Sequence, residues 1–275
     1  MFNFTPPLHT KYKYLRLSQF TIIMDSKTEI EIKDKFRRAK NRLVLLDYDG
    51  TLVHHTPVPD TASLPEHMSD IIIKLVDNPQ TKIFIITGRS CKDIDKFLDH
   101  IPINIIAEHG AMMKMGGIWK NQIIDNFLWK KAIMSILNQI TETCPESYVE
   151  EKNFSLTWHY RNADPDLGYS VSRELIHLLK KRIHSYDLKI LDGNKVVEIL
   201  TNKIGKGSAV KKLFEQSTYD FVLSIGDDAT DEEMFKFFLN QANAITIKVG
   251  EGSTHARYKL NSISDVASLL KQLSG

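Results

Sequence analysis

Two aspartates one residue apart, Asp47 and Asp49, close an apolar run and are followed at once by Gly-Thr in the segment LVLLDYDGTL. Like charges that near raise each other's pKa, and burial raises both further. A strand end that carries such a pair is either a solvated turn or the place where a cation is held. Two more apolar runs end in polar residues: KIFIITGRS supplies Thr87 and Arg89, and DFVLSIGDD supplies Asp227 and Asp228. A fourth segment, GKGSAV, sets Lys206 just before a helix. Together these are the inventory of a Mg2+-assisted phosphoryl-transfer site. A carboxylate can act as a covalent nucleophile, and Mg2+ takes hard oxygen ligands from a few carboxylates plus phosphate. A lysine and a hydroxyl can neutralise and position the phosphoryl group. A second carboxylate two residues along can protonate the leaving alkoxide and later deprotonate water.

The elements around these residues decide whether they meet. Helical periodicity over 28–40 leads into a strand at 42–47, a helix at 65–77 with Pro65 near its first turn, and the strand that ends in Thr-Gly-Arg. A helix at 91–100 and a short buried strand in INIIAEHGA follow. Strands that are apolar throughout and alternate with helices predict a parallel sheet covered on both faces. From residue 114 to about 200 the pattern changes to hairpin-like pieces (MKMGGIWKNQ, SYVEEKNFSLTWHYR, LKILDGNKVVEIL) separated by helices near 126–142 and 168–184. The doubly wound pattern then resumes with a helix at 207–216, a strand at 220–226, a helix at 231–239, a strand at 244–249 and a helix at 263–273. The expected architecture is α/β: a doubly wound, Rossmann-like parallel-sheet core with an inserted α+β cap domain. The expected divisions are a tail or linker at 1–26, a first core segment at 27–112, the cap at 113–200 and a second core segment at 201–275. Parallel topology brings the strands' carboxyl ends to one edge, where such sheets bind ligands.

Composition narrows the function classes. Net charge is +2 over 275 residues, too weak for a nucleic-acid surface, which needs a clustered basic stripe. No apolar run approaches the length of a membrane span, and residues 1–26 lack the continuous apolar stretch of a signal peptide. Cys91 and Cys144 lie far apart with no metal or redox spacing, which predicts free thiols in a reducing compartment, the cytoplasm. A monomer acting on a small molecule is the expectation.

In this order, DYDGTL, ITGRS, KGSAV and GDDATDEEMF resemble the four motifs of the haloacid dehalogenase superfamily of phosphatases. Within it the chain is similar to the trehalose-6-phosphate phosphatase family through AEHGA (107–111), VEEKNFSLTWHYRNAD (149–164), KVVEI (195–199) and VGEGSTHARYKL (249–260). The resemblance implies Asp47 as nucleophile and Asp49 as general acid/base, with Mg2+ on Asp47, the Asp49 backbone carbonyl and Asp227. It implies phosphate contacts from Thr87 and Lys206, and supporting carboxylates at Asp228 and Asp231. A Glu-x-Lys segment of the family's cap recognises sugar hydroxyls, which carries over to Glu150 and Lys152; Glu198, Gly88, Arg89 and Arg161 are further substrate-binding candidates. The implied activity is hydrolysis of trehalose 6-phosphate, with association with a trehalose-6-phosphate synthase among the possible partnerships. Sucrose phosphate or mannosylphosphoglycerate would suit the same core under a different cap, and a catalytically silent phosphosugar-binding subunit is the reading from outside enzymology.

Bland readings stand beside several residues. Lys203 follows Asn202 directly and is the alternative to Lys206, which is preferred because it opens a helix. Glu232 and Glu233 read as first-turn acids that complement a helix dipole. His54 and His55 read as exposed loop histidines, since Mg2+ prefers oxygen. His109 either lines the cleft or is a satisfied buried histidine shaping the core–cap hinge, with structure favoured. Trp158 and Tyr160 should share one face of their strand and pack, opposite His159 and Arg161.

Overall fold

A computed structural model of the chain describes residues 21–56, 58–124 and 127–275. Its strands are β1 (Ile22–Ile23), β2 (Arg42–Asp47), β3 (Thr81–Ile86), β4 (Asn104–Ala107), β5 (Met112–Met115), β6 (Ile118–Asn121), β7 (Tyr148–Glu151), β8 (Ser155–His159), β9 (Leu188–Gly193), β10 (Val196–Thr201), β11 (Phe221–Gly226), β12 (Ala244–Val249) and β13 (Tyr258–Leu260). The α-helices are α1 (Ser26–Arg38), α2 (Glu66–Val76), α3 (Cys91–Leu98), α4 (Trp129–Thr143), α5 (Pro165–Ile183), α6 (Lys206–Glu215), α7 (Glu232–Phe238) and α8 (Ile263–Ser274). Among the described residues no helix is long and apolar enough to cross a membrane.

Among the described residues nine strands form one sheet in the order β1-β13-β12-β11-β2-β3-β4-β5-β6, parallel except for β5 and β6. Strand order runs outward in both directions from the β2/β11 pair, so the switch point of the sheet lies between those two carboxyl ends. Alternation along each strand feeds two cores. Val44, Leu46, Ile83, Ile85, Leu223 and Ile225 pack under α1, α2, α3 and α8. Leu43, Leu45, Phe84, Ile86 and Val222 pack under α6 and α7. Each such fully buried side chain stabilises the fold by about 1.5–3 kcal/mol in transfer terms. Capping fixes the helix starts: Asp25 accepts from Thr28 N at 2.8 Å, Ser90 caps α3, and Ser262 with Asp265 forms a capping box on α8.

The second sheet, β7-β8-β10-β9, is antiparallel, and α4 and α5 cover one of its faces. Leu156, Trp158, Tyr160, Val197 and Ile199 fill that core, with Trp158 stacked on Tyr160 at 4.9 Å. The other face carries Glu150, Ser155, Thr157, His159 and Glu198 and turns towards the carboxyl edge of the large sheet, which Lys152, Glu198 and Lys189 reach.

Two expected divisions need correction. The hairpin of β5 and β6 falls in the segment expected to be cap, but β5 hydrogen-bonds to β4 with Met113 opposite Ile106, and Met113 is buried in the large core. Lys114 reaches Asp95 and Asp99 of α3 at 2.9 and 2.8 Å, and the Trp119 indole donates to Asp95. The α+β unit proper therefore begins after this hairpin. Residues 22–26 are not tail: Ile22 and Ile23 pair with Tyr258 and Lys259 at the sheet edge, Met24 packs on the core, and Asp25 caps α1, which opens at Ser26. Thr21 is tied in as well, its hydroxyl donating to the Ala256 carbonyl at 3.0 Å, and residues 1–20 lie outside the described residues.

Candidate active site

Asp47 is the last residue of β2, 4% exposed, at the switch point. Its Oδ1 accepts from the Lys206 ammonium at 2.7 Å; its Oδ2 is buried and has no partner. Lys206 opens α6, is 2% exposed, and also donates to Asp231 Oδ1 at 2.8 Å. Lys203 stays in the preceding turn, exposed. Asp231 is fully buried, and its Oδ2 accepts from the backbone N–H groups of Asp227 and Asp228 at 3.0 and 3.1 Å. Asp228 turns away and accepts from Thr230 and from Asp231 N. Thr87, directly after β3, is buried with its hydroxyl accepting from Arg89 N at 3.1 Å.

Carboxylates of Asp47, Asp227 and Asp231 offer oxygens within 4.8 Å of one another. Burial raises the Asp47 pKa well above the ordinary carboxyl range, with Lys206 opposing and Asp231, Asp228 and Asp227 adding to the rise. Burial likewise pushes Asp231 up to about 7 against the pull of Lys206. In Asp228 the Lys206 ammonium and the Thr230 donor outweigh burial, and the carboxyl sits well below its usual range. One ammonium does not balance this many carboxylates. Asp47 Oδ2 and Asp227 Oδ1 are both buried and unpartnered, and an unsatisfied charged oxygen is costly to keep. Hard donors, excess negative charge and two open oxygens fit a divalent cation. Gly50 completes the cradle: at φ +87 it passes so close that a Cβ would lie 2.1 Å from Asp227 Oδ2.

Asp49 is held differently from the sequence-based picture. Arg89 grips both of its oxygens, Nε to Oδ2 at 2.7 Å and Nη2 to Oδ1 at 2.6 Å, and the guanidinium lies over the Tyr48 and Phe97 rings. Asp49 is thus outside the acidic cluster, and both of its oxygens are bonded to Arg89.

From the second sheet, Lys152 donates to the Gly88 carbonyl at 3.1 Å and to Glu198 Oε1 at 3.2 Å. Glu198 also accepts from the Ser155 hydroxyl at 2.5 Å and meets His109 Nε2 at 3.1 Å. Burial acts to raise Glu198, but Lys152, His109 and Ser155 together hold it far below the usual carboxylate range. Glu150 pairs with His159 at 2.8 Å, and the His159 ring stacks on Tyr148. Lys152, Glu198 and Gly88 are therefore one cluster at the foot of the cap sheet, with Glu150 two residues further along. Arg161 is not brought there. Its guanidinium donates to the Asn194 carbonyl at the β9–β10 turn, beyond the end of β8.

Several residues of the site lay beyond sequence reasoning. His55, read as an exposed loop histidine, is half-exposed but meets Asp227 Oδ2 at 3.0 Å. Lys248, at the end of β12, donates to the Asp227 carbonyl. Glu233 accepts from Lys189 of β9 at 2.7 Å, joining core to cap, while Glu232 anchors Thr254 and His255. Glu108 accepts from Phe154 N and Asn153 Nδ2, each at 3.0 Å, at the β7–β8 turn. A Lys-to-Glu pairing of this kind has no sequence signal, because it is set by which strand ends face each other. A separate cavity of about 480 Å3, lined by Met112, Ile123, Phe127 and Phe154 among others, contains none of the acidic cluster.

A doubly wound sheet with Asp-x-Asp at its switch point and an inserted α+β unit has the fold of haloacid dehalogenase-like hydrolases, one of which, from B. subtilis, aligns with a TM-score of 0.57 at 16% identity. Within that class the trehalose-phosphatase family model matches residues 45–264, and the chain belongs to the trehalose-phosphatase family. It is 38% identical over 250 residues to an alpha,alpha-trehalose-phosphate synthase (UDP-forming) B of Dictyostelium discoideum, covering 89% of this chain and 32% of that one. It is 37% identical over 244 residues to a bifunctional trehalose-6-phosphate synthase/phosphatase of Thermoproteus tenax, covering 88% and 33%. The chain thus spans about a third of the length of these curated relatives. Its structure is similar to the C-terminal domain of a Candida albicans trehalose-6-phosphate phosphatase, with a TM-score of 0.85, 28% identity, and coverage of 94% of this chain and 99% of that one.

Proposed function

We propose that the chain hydrolyses trehalose 6-phosphate to trehalose and phosphate through an aspartyl-phosphate on Asp47. The observation that carries this is the divided Asp47 carboxylate: Oδ1 tied to Lys206, Oδ2 buried and free at the switch point. In the first step an Asp47 carboxylate oxygen attacks phosphorus and the bond from phosphorus to the sugar O6 breaks. Asp49 gives its proton to the departing oxygen. In the second step Asp49 takes a proton from water, the water oxygen attacks phosphorus, and the bond to Asp47 breaks to release phosphate. Lys206 and Thr87 hold phosphoryl oxygens throughout. Asp47, Asp227 and, by resemblance, the Asp49 carbonyl would hold Mg2+, with Asp231 and Asp228 supporting; the ion supplies neutralisation of the phosphoryl oxygens. Lys152, Glu198 and Glu150 read the sugar hydroxyls.

Cys91 and Cys144 are both free thiols, which supports work in the cytoplasm. Relatives whose names carry a trehalose-phosphate synthase support association with such an enzyme.

The test is phosphate release from trehalose 6-phosphate, sucrose 6-phosphate, mannosylphosphoglycerate and glucose 6-phosphate, each with and without Mg2+. Trehalose 6-phosphate should be strongly preferred, and Asp47→Asn should abolish turnover while the protein stays folded. Substantial turnover by Asp47→Asn would sink the scheme; preference for another sugar would move the substrate and leave the chemistry. No turnover of any phosphosugar would favour a silent binding subunit.

A further inference from the structure

His109 occupies a position that neither the phosphoryl-transfer chemistry nor the packing uses up. It follows β4 in left-handed backbone, φ 55, directly after Glu108 at φ 48. Two successive non-glycine residues in that region store strain of about 1–3 kcal/mol each, which the surroundings must hold in place. Here the surroundings are specific: His109 N donates to the Thr87 carbonyl at 3.0 Å, and the Glu108 carboxylate is fixed by Asn153 and Phe154. The imidazole lies so close over Gly88 that a Cβ there would sit 2.5 Å from the ring. Nε2 meets Glu198 at 3.1 Å. One imidazole therefore touches both the phosphate-side loop and the sugar-side carboxylate.

Its other nitrogen is unspent. His109 is 8% exposed, yet Nδ1 is buried and has no hydrogen-bond partner among the described residues. With Nε2–H donated to the Glu198 carboxylate, the neutral ring presents Nδ1 as an acceptor. A satisfied core histidine would have used both nitrogens. We propose that His109 is a substrate-contacting, specificity-determining residue whose Nδ1 accepts a hydrogen bond from a hydroxyl of the phosphorylated sugar ring. The inference rests on the phosphosugar phosphatase reading above and extends it to a residue outside the phosphoryl-transfer set. Glu198 sets the tautomer, Glu108 and the β7–β8 turn hold the strained backbone, and a sugar lacking the matching hydroxyl leaves Nδ1 unpaired.

Two substitutions separate contact from scaffolding. His109→Asn keeps a polar atom near the Nδ1 position and loses the reach to Glu198; His109→Gln keeps the reach and loses the atom. Steady-state kinetics on trehalose 6-phosphate and an aryl phosphate, with Tm measured for both variants, read the difference. The expected result is that kcat/KM of His109→Gln falls about 10- to 100-fold further on the sugar phosphate than on the aryl phosphate. His109→Asn should retain most of the sugar preference. The reverse order would overturn the proposal in favour of a positioning role through Glu198. Equal losses on both substrates, or no loss, would overturn it as well. If the parent hydrolyses a different phosphosugar, the substrate reading falls while the same comparison on that sugar still decides His109. If it hydrolyses aryl phosphate alone, both fall.

Discussion

Lys206→Met removes one charge from the most crowded electrostatic position in the molecule while keeping the apolar stem in place. The ammonium lies 2.7 Å from Asp47 and 2.8 Å from Asp231, and the three side chains are at most 6% exposed. Breaking a buried pair in this way costs about 3–5 kcal/mol, because it leaves buried charge uncompensated. For a chain of this size that is roughly 10 °C in Tm. The loss should depend on pH, and its direction follows from the raised carboxyls. Asp231 has a folded pKa of about 7 against an ordinary 3.8, and Asp47 is raised too. Groups raised on folding favour the folded state below their unfolded pKa and lose that contribution as pH climbs through the folded value. Lys206, itself raised by Asp231 and Asp47 against the effect of burial, stays charged across this range. The gap between variant and parent should therefore be small near pH 4 and widen to its full size by pH 8. The assay is thermal melting in chelator from pH 4 to pH 8, repeated with excess Mg2+, alongside phosphate release. Mg2+ should restore the variant more than the parent, and turnover should fall about 100- to 1,000-fold. A gap that is the same at both ends of the pH range would refute the charge-compensation argument even if activity were lost.

Arg89→Lys replaces a fork that holds both Asp49 oxygens with a point charge, so kcat should fall about 10- to 100-fold with KM little changed. A raised KM with kcat preserved would show that Arg89 reads the substrate instead. Gly50→Ala sets a Cβ 2.1 Å from Asp227 Oδ2 at a φ of +87, which costs about 1–2 kcal/mol in backbone alone and displaces the carboxylate. Turnover and the rise of Tm with Mg2+ should both disappear; a parent-like Mg2+ shift would show that Asp227 is not part of the cation site.

Elements whose own residues determine their state were legible in the sequence. RLVLLD and FVLSIG are continuous apolar runs ending in polar residues, and they form the two central parallel strands. The split of Trp158 and Tyr160 from His159 follows from two-residue alternation alone. Pairing partners were not legible. Nothing local distinguishes MKMGGIWKNQ as an extension of the large sheet from a hairpin of the small one; the difference is that Met113 finds Ile106 and Lys114 finds Asp95 and Asp99. Long charged side chains were hardest. Arg89 and Arg161 have ample reach in several directions, and the structure commits one to Asp49 and the other to a turn carbonyl. The preference of Mg2+ for oxygen argues against His55 as a metal ligand and is silent about its hydrogen bond to Asp227 Oδ2.

The groups proposed above to read the sugar are already satisfied by one another, and this bears on how a cap built from them would select. Lys152, Glu198, Ser155 and the Gly88 carbonyl form a closed set of bonds at the foot of the cap. A small phosphate ester that ignores them leaves no buried charge unpaired, so this cluster alone imposes little penalty on it. A sugar must exchange those bonds for its own hydroxyls, with little net change per bond. Strong preference then has to come from groups left wanting a partner, or from geometry that only the right sugar completes. Burial of the cluster makes the exchange stricter: a hydroxyl displaced by one carbon would break the Lys152–Glu198 contact without replacing it, stranding two charges on side chains only 11% and 8% exposed. The closed cluster is tolerant of absence and intolerant of error, so wrong disaccharides should be rejected more sharply than ligands with no sugar at all.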